Sequence, residues 1–153
     1  MTVDLSQLVP CERMHGDDDE DTALLKDMLV EARRYMSSYS WCERIDRCHF
    51  GLGVGGVVAV FLFEITPASD EVDSMFWVVV GDVPPAYLVT DELKEPRVAL
   101  RAYVDEMRAW IEAVRKGDSL DEVIPVNAPP TVEYADRLET RLKLLESEVI
   151  GTG

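Results

Sequence analysis

Two histidines, three cysteines and a run of glycines are the residues from which this chain would most readily build chemistry. The glycines come first, because Gly51-Leu52-Gly53-Val54-Gly55-Gly56 fits the G-x-G-x-x-G pattern of dinucleotide-binding loops. In such a loop the run succeeds a strand and opens a helix, whose amino terminus receives the pyrophosphate. Residues 57–65 of this chain are VVAVFLFEI, a segment that is short and dense in β-branched and aromatic types. That composition predicts a strand. Gly55-Gly56 then reads as a two-residue hairpin turn, where glycine supplies positive φ angles, and no nucleotide cofactor is expected.

Metal and nucleophile chemistry are judged the same way. Cys42, Cys48 and His49 could be metal ligands, but adjacent Cys48 and His49 point to opposite faces of a regular strand. Buried structural thiols are the expectation, with no metal site. A Cys–His pair would need Cys11 or Cys42 to meet His15 or His49 through the fold. Within Asp17-Asp18-Asp19-Glu20-Asp21 the alternate aspartates suggest a calcium loop. Thr22 stands where that loop needs glycine, however, and Met28 where it needs a bidentate glutamate. The run is read as the acidic start of a helix. No nucleophile elbow, zinc-protease pair or phosphate loop is present. The sequence thus holds no catalytic constellation.

Charge is the stronger signal. The chain carries 30 acidic against 15 basic residues, a net charge of −15, which argues against nucleic acid as a partner. Between Arg47 and Lys94 there is no cation, while Glu64, Asp70, Glu71, Asp73, Asp82, Asp91 and Glu92 are acidic. A second cation-free stretch, residues 117–136, adds Asp118, Asp121, Glu122, Glu133 and Asp136. Tyr87 lies among the first group, after Pro84-Pro85, and an aromatic rimmed by carboxylates has the makings of a binding hot spot.

Periodicity identifies the elements that must position these residues. Leu25, Met28, Leu29, Ala32, Tyr35, Met36 and Tyr39 recur at helical spacing and predict a first helix that ends near residue 40. With a two-residue turn, Val54 would pair with Val57 and His49 with Leu62, leaving a trough along Gly51 and Gly53 on one face. SMFWVVVGDV, residues 74–83, predicts a further strand, and the segment after Pro84-Pro85 a short one at a sheet edge. Pro96, the stripe Leu100, Tyr103, Val104, Met107, Trp110, Ile111 and Val114, and Gly117 mark out a second helix. Leu138, Leu142, Leu145 and Val149 form the seam of a last helix, to be covered inside the domain or across a dimer.

The order predicts one α+β domain over residues 1–153, with 1–16 a flexible or loosely packed amino-terminal segment. Its centre would be an antiparallel sheet of three to four strands, carrying one N-terminal helix and two C-terminal helices. No apolar run is long enough to span a membrane and residues 1–21 do not read as a secretory signal, so a soluble cytoplasmic protein is expected. Unpaired cysteine spacing fits a reducing compartment, and 11 arginines against 4 lysines fit a GC-rich bacterial genome.

These features point to a non-enzymatic, acidic protein-binding domain whose partner is a basic protein. A bacterial immunity or inhibitor protein that occupies the cationic active site of a toxin or nuclease is its concrete form. Asp70, Glu71, Asp73, Asp82, Tyr87, Asp91 and Glu92 are the expected contacts. Two alternatives stay open. One is a small enzyme or ligand-binding domain using a pocket near Gly51, Gly53 and His49. The other is a homo-oligomeric subunit paired through Leu138, Leu142, Leu145 and Val149.

Overall fold

A computed structural model of the chain describes Val3, residues 5–126 and residues 128–151. Strands β1 (Val9–Pro10), β2 (Cys42–Val54), β3 (Val58–Pro67), β4 (Met75–Gly81) and β5 (Ala86–Val89) form one antiparallel sheet in that order. Helix α1 (Asp19–Ser37) precedes β2, and α2 (Pro96–Lys116) and α3 (Val132–Leu144) come after β5. A π-helical turn, Leu145–Ile150, continues α3. The fold is α+β, as read from the sequence, but the sheet has five strands rather than three to four. Among the described residues no helix is long and apolar enough to cross a membrane.

β3 explains the layering. Val58 to Phe63 are all buried, so alternate side chains feed two separate cores. Ala59, Phe61, Phe63 and Ile65 join Phe76, Val78 and Val80 beneath Leu25, Met28, Ala32 and Met36 of α1. On the other face Val58, Val60 and Leu62 join Trp77 and Val79 beneath the α2 stripe. Trp77 and Tyr103 are buried there with their polar atoms satisfied: Trp77 Nε1 donates to the Leu93 carbonyl oxygen at 2.7 Å, and the Tyr103 hydroxyl donates to that of Pro84.

The helix placement differs from expectation. Of the two C-terminal helices, α2 is the one that lies against β2, β3, β4 and β5, and α3 packs chiefly on α2. Leu138, Leu142 and Leu145 are buried in the α2 core, and Val149 packs against it. The leucine seam is therefore filled within one chain, and the homodimer reading loses its surface.

The amino-terminal segment is also corrected. Val3, Leu8, Cys11 and Met14 are buried, and β1 pairs Val9 with Phe50 and Pro10 with His49. A strand of two residues is too short to carry an alternation that could announce it. The acidic run begins α1, as expected. Asp18 caps the helix by accepting from Asp21 N at 2.8 Å, and Asp21 Oδ1 accepts from Gly55 N at 2.6 Å. One carboxylate thereby fastens the hairpin tip to the first turn of α1.

The hairpin itself departs from the expected turn. Residues 55–57 form a three-residue connection, with Val54 paired to Val58 and only Gly56 at positive φ, +78°. That moves the register by one residue. A bulge at Gly51, between Phe50 and Leu52, moves it back, so His49 does pair with Leu62. The bulge also separates the two glycines. A Cβ on Gly51 would meet Pro96 Cβ of α2 at 2.6 Å, whereas one on Gly53 would meet Leu25 Cδ2 of α1 at 2.8 Å. They face opposite layers, and each is covered by a helix. The trough expected along Gly51 and Gly53 does not exist.

Candidate functional site

The sheet sorts the seven expected contact residues by end. β4 runs antiparallel to both neighbours, so the β3–β4 loop, with Asp70, Glu71 and Asp73, shares one end with the exit of β5, where Asp91 and Glu92 lie. These five acids are exposed, and none forms an ion pair among the described residues. Asp82 is at the opposite end, in the β4–β5 loop, where Arg141 Nε of α3 lies 2.9 Å from its Oδ2. It drops out of the cluster. The cation-free stretch of sequence is thus not cation-free in space. Arg44, at the start of β2, belongs to the acidic end but is bound to Asp46 at 2.6 Å, and Lys94 Nζ donates to the Thr90 carbonyl oxygen beside Asp91. In the second acidic stretch, Asp136 pairs with Arg115.

Tyr87 is half-buried on edge strand β5, opposite Val78, and its ring faces the α1 layer. There it joins a group that the sequence did not assemble. Its ring centroid lies 5.2 Å from Tyr39, 5.2 Å from Trp41 and 5.4 Å from Phe76, all edge-to-face, and 6.4 Å from Tyr35. Tyr39 stacks on Trp41 at 4.9 Å, and its hydroxyl lies 3.0 Å from that of Tyr35. Tyr35 lies in the last turn of α1 and Tyr39 in the turn that succeeds it, so the end of the helix and its exit bring both to the same sheet edge. The i, i+4 tyrosine spacing is the one available signal. Within the sequence it is indistinguishable from the rest of a helical stripe.

Tyr35, Tyr39, Ala86, Tyr87, Ile124 and Pro125 line a cleft of about 290 Å³. Its volume sits at the low end for ligand pockets and suits one inserted side chain. Burial raises the Tyr35 phenol, helped by its hydrogen bond with Tyr39, and burial also raises Tyr87. Both are therefore uncharged at neutral pH, presenting ring faces and hydroxyl oxygens. The acidic loop adjoins this group: Ala68 N donates to the Trp41 carbonyl oxygen at 2.8 Å, and Val72 packs on the α1 core. The arrangement is an aromatic cleft on the β5 edge, with the acidic β3–β4 loop joined to its aromatic group through Trp41. Its ring faces and hydroxyl oxygens can orient and desolvate a cation.

Cys42 and His49 do not meet as a Cys–His pair. His49 Nε2 lies 3.0 Å from Glu64 Oε2 on the face away from α1, while Cys42 is buried on the α1 face. Among the described residues no three His, Cys, Asp or Glu side chains are grouped to hold a metal ion. Comparison of the chain with protein-family models, with curated proteins and with solved structures returned no match.

Proposed function

We propose that this chain is a non-enzymatic binding protein that receives a basic protein partner at the aromatic cleft formed by Tyr35, Tyr39 and Tyr87. A bacterial immunity or inhibitor protein directed at a basic toxin or nuclease is the form that fits best. The observation that carries the reading is the shared location of the five unpaired acids and the tyrosine–tryptophan group at one end of the sheet. Each supplies what the other lacks. Exposed carboxylates steer a cationic partner and accelerate encounter, but hold it weakly because water and salt screen them. Half-buried aromatic rings hold what arrives, and a Lys or Arg over a tyrosine face gains about 0.5–2 kcal/mol as it is desolvated.

The test uses two baits in parallel: the intact chain, and a variant with Asp70→Lys, Glu71→Lys and Asp73→Lys in the exposed loop. Both are applied to extract of the source organism at physiological salt. The expected result is a basic protein retained by the first bait and lost from the second. Identical recoveries would remove the acidic loop from the binding surface.

A further inference from the structure

The β1–β2 pairing has a chemical consequence on the α1 side of the sheet. Val9 lies opposite Phe50 and Pro10 opposite His49, and Cys11, the next residue and the first of a 3-10 turn over Cys11–Arg13, is buried in the same core as Cys48. Each cysteine is the chain neighbour of a residue in the Pro10–His49 pair, and a disulfide needs Cα atoms about 4.4–6.8 Å apart. Both thiols are buried in the α1 core, close enough to perturb each other's ionisation, and neither is in a disulfide. A third group completes the set: Arg33 Nη2, from α1, donates to Cys48 Sγ at 3.2 Å. Cys42 is six residues away on the same face, past two irregularities of β2, and has no such thiol or guanidinium partner among the described residues.

We propose that Cys48 is an oxidant-reactive nucleophilic thiol and Cys11 its resolving partner, the two closing an intrachain disulfide when the protein meets hydrogen peroxide. This is independent of the partner-binding reading.

The groups facing Cys48 are Cys11, Glu12 and Arg33. The hydrogen bond from Cys11 and the Arg33 guanidinium hold the Cys48 thiol below its ordinary range, against desolvation and the Glu12 carboxylate. The same bond and burial hold Cys11 well above it. The roles are thereby divided. Cys48 is the sulfur that ionises, and Cys11 keeps its proton until it is needed. Both thiols are nearly buried while Arg33 is exposed, which favours an oxidant little larger than water over a bulky one.

In the first step the Cys48 thiolate attacks one peroxide oxygen and the O–O bond breaks. Hydroxide leaves and takes up a proton to become water, and Cys48 carries a sulfenic acid. Cys11 then loses its proton and attacks the Cys48 sulfur. The S–O bond breaks and a second water leaves. Two electrons pass from the two thiols to the peroxide. The product ties the amino-terminal segment covalently to β2.

The experiment treats the reduced full chain with a small excess of hydrogen peroxide, alkylates what remains, and maps the peptides by mass spectrometry. The expected map links Cys11 to Cys48 and leaves Cys42 alkylated. Cys11→Ser should strand Cys48 as a sulfenic acid that a 1,3-dione traps. Arg33→Ala, an exposed change whose fold circular dichroism checks, should slow the reaction by about tenfold, with Arg33→Lys in between. Survival of all three thiols, oxidation of Cys42 first, or an unchanged rate in Arg33→Ala would each overturn the proposal. The wild-type peptide map decides it even if a variant does not fold.

Discussion

Tyr103 is fully buried, with its hydroxyl bound to the Pro84 carbonyl oxygen, and burial pushes its phenol well above the ordinary 10.0. The sign of the consequence is fixed. A group whose folded value lies above its unfolded one contributes stability that is complete below the unfolded value and is lost as pH rises toward the folded one. Resistance to urea should therefore decline above about pH 10. Tyr103→Phe should lose about 1 kcal/mol at neutral pH, by giving up the hydrogen bond, yet show a shallower alkaline decline. Urea midpoints of both proteins at neutral and alkaline pH make the comparison, and parallel declines would refute it. Tyr35, raised for the same main reason, supplies part of the slope that remains.

Some residue-scale chemistry is legible in the sequence. Strand alternation puts Cys48 and His49 on opposite faces, and that is where they lie. The approach of Cys11 to Cys48 is not legible, because it depends on a two-residue strand whose partner lies 39 positions away. The place of Arg33 beside Cys48 is equally hidden, since helical periodicity marks the apolar stripe and leaves the flanking cations unassigned.

At the scale of elements, the parts with strong periodicity or strong punctuation are the legible ones. α2 begins at Pro96 and ends against Gly117 in the left-handed conformation, as its sequence signals require. Register inside β2 is where the reading fails, because three irregularities break the two-residue alternation. Cys42, Ile45 and Cys48 share a face at three-residue spacing, a pattern that propensity cannot anticipate. The bulge at Gly51 yields a direct test. Gly51→Ala places a methyl against the Pro96 ring and the Val60 carbonyl, so it should destabilise the fold by about 1–3 kcal/mol. Gly53→Ala meets side-chain atoms of Leu25, Phe50 and Ala59 at 2.8, 2.9 and 3.3 Å and no backbone atom, so it should cost less. Urea denaturation of the two variants checks the order. A larger loss at Gly53 would mean that the bulge is misassigned.

For the whole molecule, the sequence discloses net charge but not its distribution. Arg141 reaches Asp82 from 59 positions away, and Arg115 takes Asp136 and Glu139, so two stretches that look bare of cations are partly neutralised by distant helices. The five acids at the β3–β4 loop and the β5 exit keep their charge. The leucine seam goes the other way: it looks available and is spent inside the chain. Leu142→Ala should therefore lower stability by about 2–5 kcal/mol, with an unfolding midpoint that does not move with protein concentration. A midpoint that rises with concentration would restore the dimer. The central claim is that unpaired carboxylates steer a basic partner into an aromatic cleft. Its most direct measurement is the association rate constant with the captured partner, determined across ionic strength for the intact chain and for the Asp70→Lys, Glu71→Lys, Asp73→Lys variant. A rate that falls steeply with salt in the first, and is slower and flatter in the second, is the predicted result; equal rates indifferent to salt would contradict it.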